Sequence, residues 1–197
     1  MKIVLATGNA GKLREFSQML QSSGFEIVPQ SAFEVTEVAE TGLSFVENAL
    51  IKARHAAQHT GLPALADDSG IEVDFLQGAP GIYSARYAGA RATTEENNHK
   101  LLRALSGVSA AQRTARFRSV IVFLRHATDP SPVIAEGHWE GQIAIEPAGD
   151  QGHGYDPIFL IPEQGKTAAQ LPAEEKNRLS HRGQALRNLL HKLPPLK

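Results

Sequence analysis

The chain has no cysteine, which excludes disulfides, thiolate catalysis and zinc–sulfur sites. A metal, if one is used, must be held by oxygen or nitrogen. There is no charge excess either: 20 Lys plus Arg stand against 21 Asp plus Glu, a formal net charge of −1. No long-range field therefore gathers nucleic acid or an acidic membrane, and any anion site must be local. Long apolar runs are missing as well. Met1-Lys2-Ile3-Val4-Leu5-Ala6 reaches a turn after a few apolar residues, too short for a signal h-region or a membrane span. The cytoplasm is the expected compartment, with neither nucleic acid nor membrane as partner. The sequence also lacks internal repeats, low-complexity stretches and interdomain linkers.

What is present is ordinary for a globular protein: 42% hydrophobic and 21% charged residues in 197 positions. That length predicts one domain over residues 1–197, built as two lobes around an active-site cleft. Lys2 to Ala6 reads as a short buried strand. Thr7-Gly8-Asn9-Ala10-Gly11 reads as a tight turn into an amphipathic helix with Leu13, Phe16 and Leu20 on one face, stopped at Gly24. Phe25 to Val28 supplies a second strand and completes a strand–helix–strand unit with a right-handed parallel crossover. Ser44 caps a second helix whose apolar stripe is Val46, Ala49, Leu50, Ala53 and Ala57, closed by Gly61 and Pro63.

Ala64 to Ala66 and Ile71 to Phe75 read as two strands flanking an acidic turn, Asp67-Asp68-Ser69-Gly70. A helix capped by Thr93 or Thr94 runs towards Gly107. Thr114 to His126 is the longest strand; Phe117, Ile121 and Phe123 face one way and Val120, Val122 and Leu124 the other, which puts it in the sheet centre. Val133 to Ile145 reads as further strand with a hairpin turn near Gly141, and Pro157 to Ile161 as another. The last forty residues read as helical, ending in a Pro194-Pro195 tail. The fold class expected is α/β, a mixed central sheet with flanking helices.

Chemistry can sit in a few places. Thr7, Gly8, Asn9, Ala10, Gly11 and Lys12 lie between a strand and a helix, where glycines, helix N–H groups and a lysine can cradle phosphate. The spacing is not that of a Walker A loop, because Leu13 follows the lysine where Ser or Thr is needed; a plain βα turn is the other reading. Glu37, Glu40, Asp67 and Asp68 offer the oxygen ligands that Mg²⁺ prefers. Adjacent Asp67 and Asp68 point oppositely if extended, so one can hold metal or activate water while the other works elsewhere, or the pair is an Asx-turn. Asn48 and Lys52 share the helix face opposite the apolar stripe, which taken alone reads as solvated. His55 and His59 follow at metal spacing but without a third ligand.

The glycine-rich loop Gly149 to Pro157, with His153, Gly154, Tyr155 and Asp156, can stack on a base and hydrogen-bond its edge, or is a flexible connection. Lys176, and Ser180-His181-Arg182-Gly183 opening the final helix, complete the set. The two cations at that helix start face the positive dipole end and call for an anion or acceptor. Either a purine oxo group or an ion pair would serve.

Thr7-Gly8-Asn9-x-x-Lys12, Ser44-Phe45-x-Glu47-Asn48-Ala49-x-x-Lys52-Ala53, Ala66-Asp67-Asp68-Ser69-Gly70, Pro80-Gly81-Ile82-Tyr83-Ser84-Ala85-Arg86-Tyr87, Gly154-Tyr155-Asp156-Pro157 and Ser180-His181-Arg182-Gly183 occur in one order. Together, from Ile3 to the final helix, they closely resemble the inosine triphosphate pyrophosphatase family. The resemblance implies hydrolysis of ITP, dITP and XTP to monophosphate and pyrophosphate, which cleanses the nucleotide pool. It further implies that Thr7 to Lys12 and Ser69 bind substrate, that Glu40 and Asp68 hold Mg²⁺, and that Asp68 is also the general base. Asp67 then looks like a supporting partner. His153, Gly154, Tyr155, Asp156, Lys176, His181 and Arg182 are implied to bind the nucleotide, mostly its base end, with Lys52 near the phosphates. A homodimer is implied too. One position departs: His153 stands where the pattern usually has phenylalanine, an imidazole with less apolar surface to stack.

On that resemblance, water activated by Asp68 attacks the α-phosphorus and pyrophosphate leaves, with no covalent enzyme intermediate. Arg182 is the expected donor to the 6-oxo group, since a site built to donate there leaves its donors unpaired against adenine. Two rivals make different predictions. A non-hydrolysing nucleotide sensor would have lost an acidic ligand or the phosphate lysine, and a pyrophosphatase for modified pyrimidine triphosphates would differ in the base-contacting motifs.

Overall fold

Alternating branched and small apolar residues lay down a mixed sheet of seven strands in the order β2-β1-β3-β4-β5-β6-β7. The strands are β1 (Lys2–Leu5), β2 (Glu26–Pro29), β3 (Ala64–Val73), β4 (Thr114–Leu124), β5 (Val133–Ile143), β6 (Phe159–Ile161) and β7 (Lys166–Thr167). The helices are α1 (Ala10–Leu20), α2 (Phe45–Thr60), α3 (Thr94–Ala104), α4 (Ala173–Leu179) and α5 (His181–Lys192). This computed structural model describes residues 1–21 and 23–193; the expected Pro194-Pro195 tail lies outside the described residues. β1 runs parallel to β2, Lys2 opposite Glu26, and to β3, Val4 opposite Ala64. β6 is antiparallel to both β5 and β7. The α/β class expected from the sequence is the one that forms.

The chain divides into two compact units. The first takes Met1–Asp68, Ser119–Gly137 and the chain from Arg182 onward; the second takes Ser69–Arg118 and His138–His181. In the first unit, successive strand residues feed two apolar layers. Ile3, Leu5, Leu65, Ile121 and Phe123 pack with Phe16 and Leu20 of α1 and Leu186 and Leu189 of α5. Val4, Ala6, Ala64, Ala66, Val122 and Leu124 pack with Ala49, Ala53, Ala56 and Ala57 of α2. The division of β4 into these faces matches its sequence pattern. α2 is capped at its start by Ser44 and closed at Gly61, whose φ of +67° suits glycine. In the second unit Ile71, Val73, Leu101, Leu105, Phe117, Trp139, Tyr155, Ile158 and Phe159 share one core. α3 opens on a capping box in which Thr93 and Glu96 satisfy each other's backbone amides.

The structure corrects several sequence expectations. Ala64–Val73 is one unbroken strand, so Asp67-Asp68-Ser69-Gly70 is not a turn. None of these residues takes a positive φ, and the two carboxylates meet cations on α1 and α2, which removes the motive for an Asx-turn. Phe75 lies beyond the strand in a short 3₁₀ turn over Asp74–Leu76. β5 likewise continues through Gly141. A Cβ there would lie 2.6 Å from the Leu160 carbonyl oxygen and 2.6 Å from the Phe159 ring. The glycine marks a close approach by β6 and not a hairpin. Nor are the last forty residues helical throughout: Lys166-Thr167 first turns back against β6. Among the described residues, no helix is long and apolar enough to cross a membrane.

Candidate active site

β1 delivers Thr7 to Lys12 to the start of α1. Thr7 Oγ1 accepts from the Asn9 N–H at 3.1 Å, and Asn9 Oδ1 from the Lys12 N–H at 3.0 Å, which makes Asn9 the helix cap. A Cβ on Gly8 would sit 2.0 Å from Glu37 Oε1, so Glu37 lies against the glycine turn and Ala10 and Gly11 begin the helix. Strand alternation then decides where the adjacent acids go. Asp67 follows Leu65 onto the α1/α5 layer. Its Oδ2 meets Lys12 Nζ at 2.7 Å and Arg182 Nε at 3.5 Å, and its Oδ1 accepts the Ser119 hydroxyl. Arg182 is also paired with Glu15. Asp68 follows Ala66 onto the α2 layer, where Oδ1 meets Lys52 Nζ at 2.7 Å, and the same nitrogen lies 2.7 Å from Glu40 Oε1. The two acids point apart, as an extended pair must.

Their surroundings give them opposite character. Burial alone would raise Asp67, but Lys12 and Arg182 hold its carboxyl well below the usual carboxylate range. Lys12 is lowered, first by burial and then by the like charges of Lys52 and Arg182, against the pull of Asp67. Burial is also the largest influence on Lys52, but Asp68 and Glu40 together outweigh it and raise its pKa. Asp68 is raised, chiefly by burial, although Lys52 opposes.

Asp68 Oδ2 is buried and has no hydrogen-bond partner. This open acceptor, on a carboxylate that converges with Glu40 on one ammonium, suits a hard cation taking one or two protein carboxylates and sharing the rest with water and phosphate. Among the described residues no group of three or more His, Cys, Asp or Glu could hold a metal by itself. His55 and His59 are instead engaged with backbone, at Thr36 O (2.9 Å) and His55 O (2.8 Å). The helix face expected to be solvated is not: Asn48 is fully buried and the Lys52 side chain is only 15% exposed. The segment before α2 lies against this face, where Gly42 N–H donates to Asn48 Oδ1 and Glu40 reaches Lys52.

In the second unit the glycine-rich loop is tied down from several sides. Asp156 Oδ2 accepts the His153 N–H at 2.7 Å and Lys176 Nζ at 2.7 Å. Gly152, at φ +80°, would place a Cβ 2.2 Å from that same oxygen, so the turn needs glycine twice over. Asn98 Nδ2 donates to the Gly154 carbonyl at 3.1 Å. Tyr155 is buried in the core and its hydroxyl donates to Ser84 O at 2.8 Å; burial pushes its pKa up. Its ring therefore anchors the loop. Ser84, from the Pro80 to Tyr87 motif, also accepts the Ile71 N–H at 2.9 Å, next to Ser69 and Gly70 on β3. His181 is buried with its ring stacked on Phe117, centroids 4.7 Å apart.

The structure thus gathers Thr7 to Lys12, Glu40, Lys52, Asp68 and Arg182 in the first unit, and Ser69, His153 to Asp156, Lys176 and His181 in the second. For Arg182 the anion demanded by its helix-start position turns out to be Glu15 and Asp67. Sequence reasoning missed Glu15, Ser119 and Asn98, and gave Ser84 no role beyond its place in the Pro80 to Tyr87 motif. Ser119 left a signal, as the one hydroxyl in the mostly apolar stretch from Phe117 to Leu124 of β4; Asn98 sits in a polar helix whose pattern does not set it apart.

A model of the Ham1 family matches residues 3–192. A dITP/XTP pyrophosphatase of Thioalkalivibrio sulfidiphilus is 68% identical over 193 residues, covering 98% of both chains. A dITP/XTP pyrophosphatase of Vibrio parahaemolyticus is 60% identical over 192 residues, covering 98% of this chain and 96% of its own. The solved structure of a HAM1 protein from Coxiella burnetii superposes with a TM-score of 0.90 at 50% identity, covering 98% of each chain. On sequence and fold together, this chain belongs to the Ham1 family.

Proposed function

We propose that this protein hydrolyses the triphosphates of inosine, deoxyinosine and xanthosine to the monophosphate and pyrophosphate, removing them before they enter DNA and RNA. Relatives that share 60% and 68% of its residues over nearly the whole chain carry the name dITP/XTP pyrophosphatase. The observation that carries the chemistry is the Glu40–Lys52–Asp68 cluster with its open, buried Asp68 oxygen. Glu40 and Asp68 would hold Mg²⁺, which when bound supplies neutralising charge to the phosphates.

Asp68 takes a proton from water as the water oxygen bonds to the α-phosphorus. The bond from that phosphorus to the bridging oxygen breaks, and its electron pair leaves with pyrophosphate. Lys12 and the N-terminus of α1 offset charge on the leaving group, while Lys52 steadies both carboxylates. Positioning and charge neutralisation do most of the work, as in phosphoryl transfer generally. Thr7 to Gly11 and Ser69 hold the triphosphate end. His153, Gly154, Tyr155, Asp156, Lys176, His181 and Arg182 serve the base end, Arg182 as donor to the 6-oxo group and Tyr155 by holding its loop in place. The same reading places the protein in the cytoplasm as a homodimer, which light scattering on purified protein and cell fractionation check.

The test is pyrophosphate release with Mg²⁺ from inosine, xanthosine, guanosine, adenosine and thymidine triphosphates, beside Asp68→Asn. Release confined to the inosine and xanthosine substrates, and reduced roughly 10²–10⁴-fold in a folded Asp68→Asn, is the expected result for loss of a general base. Binding without release would make the protein a sensor, and a pyrimidine preference would overturn the purine assignment.

A further inference from the structure

Asn48 has no part in the roles assigned above, yet it is polar and fully buried. It stands four residues before Lys52 on α2 and shares its face. Its Oδ1 accepts the Gly42 N–H at 2.9 Å, while its Nδ2 is buried without a hydrogen-bond partner. An unpaired buried donor costs stability, so packing alone does not call for asparagine here. Gly42 is fitted to the contact: a Cβ there would lie 2.5 Å from Glu47 Cβ and 2.8 Å from Asn48 Oδ1. Two residues before Gly42, Glu40 reaches Lys52 Nζ at 2.7 Å. The segment that carries Glu40 belongs to no helix or strand, so side-chain ties to its backbone decide where it lies. A neighbouring tie, from the Leu43 N–H to Glu47 Oε2 at 2.9 Å, is exposed, whereas the Asn48 tie is partly buried, on a side chain that is itself fully so.

From this juxtaposition we infer that Asn48 is a positioning residue for Glu40: by holding the Gly42 amide against α2, it sets the metal-ligating carboxylate at Lys52 beside Asp68. Asparagine meets the requirement because it supplies the acceptor while remaining neutral. An aspartate would accept the same bond but bury a third negative charge next to Glu40 and Asp68. The inference rests on the proposed role of Glu40 as a Mg²⁺ ligand.

Asn48→Ala removes the acceptor, and Gly42→Ala pushes the same segment away by sterics, so the second variant carries the test if the first does not fold. Binding of Mn²⁺ alone, followed by the free-ion electron paramagnetic resonance signal, reads the site without turnover. Half-saturating Mg²⁺ for pyrophosphate release from inosine triphosphate reads it with turnover. Both constants rise about 10–100-fold in either variant, the range for losing a group that orients a metal ligand, while kcat at saturating Mg²⁺ stays near that of the parent. In a Glu40→Gln background Asn48→Ala adds nothing, because it acts through Glu40.

Folded variants with unchanged Mn²⁺ affinity, or an undiminished Asn48→Ala effect without Glu40, overturn the inference. A parent protein that binds no Mn²⁺ overturns it together with the metal assignment. A parent that binds Mn²⁺ but releases no pyrophosphate sinks only the functional reading, and the Mn²⁺ arm still decides this one.

Discussion

Asp67 and Asp68 are neighbours in sequence with opposite situations in the fold. Asp67 spends both oxygens on fixed partners, Lys12, Arg182 and Ser119, whereas Asp68 keeps one buried oxygen open. Their variants should therefore fail in different ways. Asp67→Ala leaves two buried cations without their shared anion and should lower the unfolding free energy by about 3–5 kcal/mol, the cost of breaking a buried pair. Urea unfolding checks this, and Asp68→Asn in the same assay should stay close to the parent while losing turnover. A folded Asp67→Ala with parental stability would show that the Lys12 and Arg182 pairings do not stabilise the unit. This difference is invisible in the string Asp67-Asp68, where spacing says only that the two point apart.

Among the elements, β5 and the β4–β5 connection show how a single residue sets a backbone path. Gly141 lets Leu160 and Phe159 of β6 approach to where a methyl would stand. Gly141→Ala forces backbone as well as a ring to move, and should cost about 1–3 kcal/mol, as overpacking does; the shift in the urea midpoint measures it. In the connection, Asp129 accepts from Arg125 N, at 3.0 Å, and from its Nε and guanidinium, as well as from Ser131 N at 3.0 Å. The side-chain bond from Arg125 is the main cause holding this carboxyl well below its ordinary range. Because the folded pKa is depressed, the stabilisation is complete above the ordinary carboxylate pKa and is lost as pH falls through the folded value. The stability gap between parent and Asp129→Asn should thus be constant near neutrality and narrow as pH drops below about 4. Denaturant midpoints from pH 7 down to acid trace it, and a gap that widens in acid would reverse the assignment.

For the whole molecule, two units with separate cores mean that most of the stability is built without ligand. On the proposed function, substrate groups and metal would add to it by mass action. Inosine monophosphate with Mg²⁺, each at about 100 times its dissociation constant, should add roughly 2.7 kcal/mol per saturated site and raise the melting temperature. Chelation with EDTA should remove the metal-dependent part. A melting temperature indifferent to both would contradict nucleotide and metal binding by the native state. The absent charge excess, with a net charge of −1, leaves such binding to local groups and not to a long-range field.

The sequence by itself determined the α/β class, the βαβ start, the cap at Ser44, a cap at one of Thr93 and Thr94, and the two apolar faces of β4. These are local matters of periodicity, capping and residue type, each readable within a few positions. Only the tertiary structure decided that β3 runs straight through its acids and that Gly141 is a contact point. It alone showed that Asn48 is buried under the Glu40 segment, and that Glu15 and Ser119 complete the Arg182 and Asp67 pairings. Those outcomes depend on side chains brought together from positions far apart in the chain, and the burial that gives each charge its character exists only once the layers have closed.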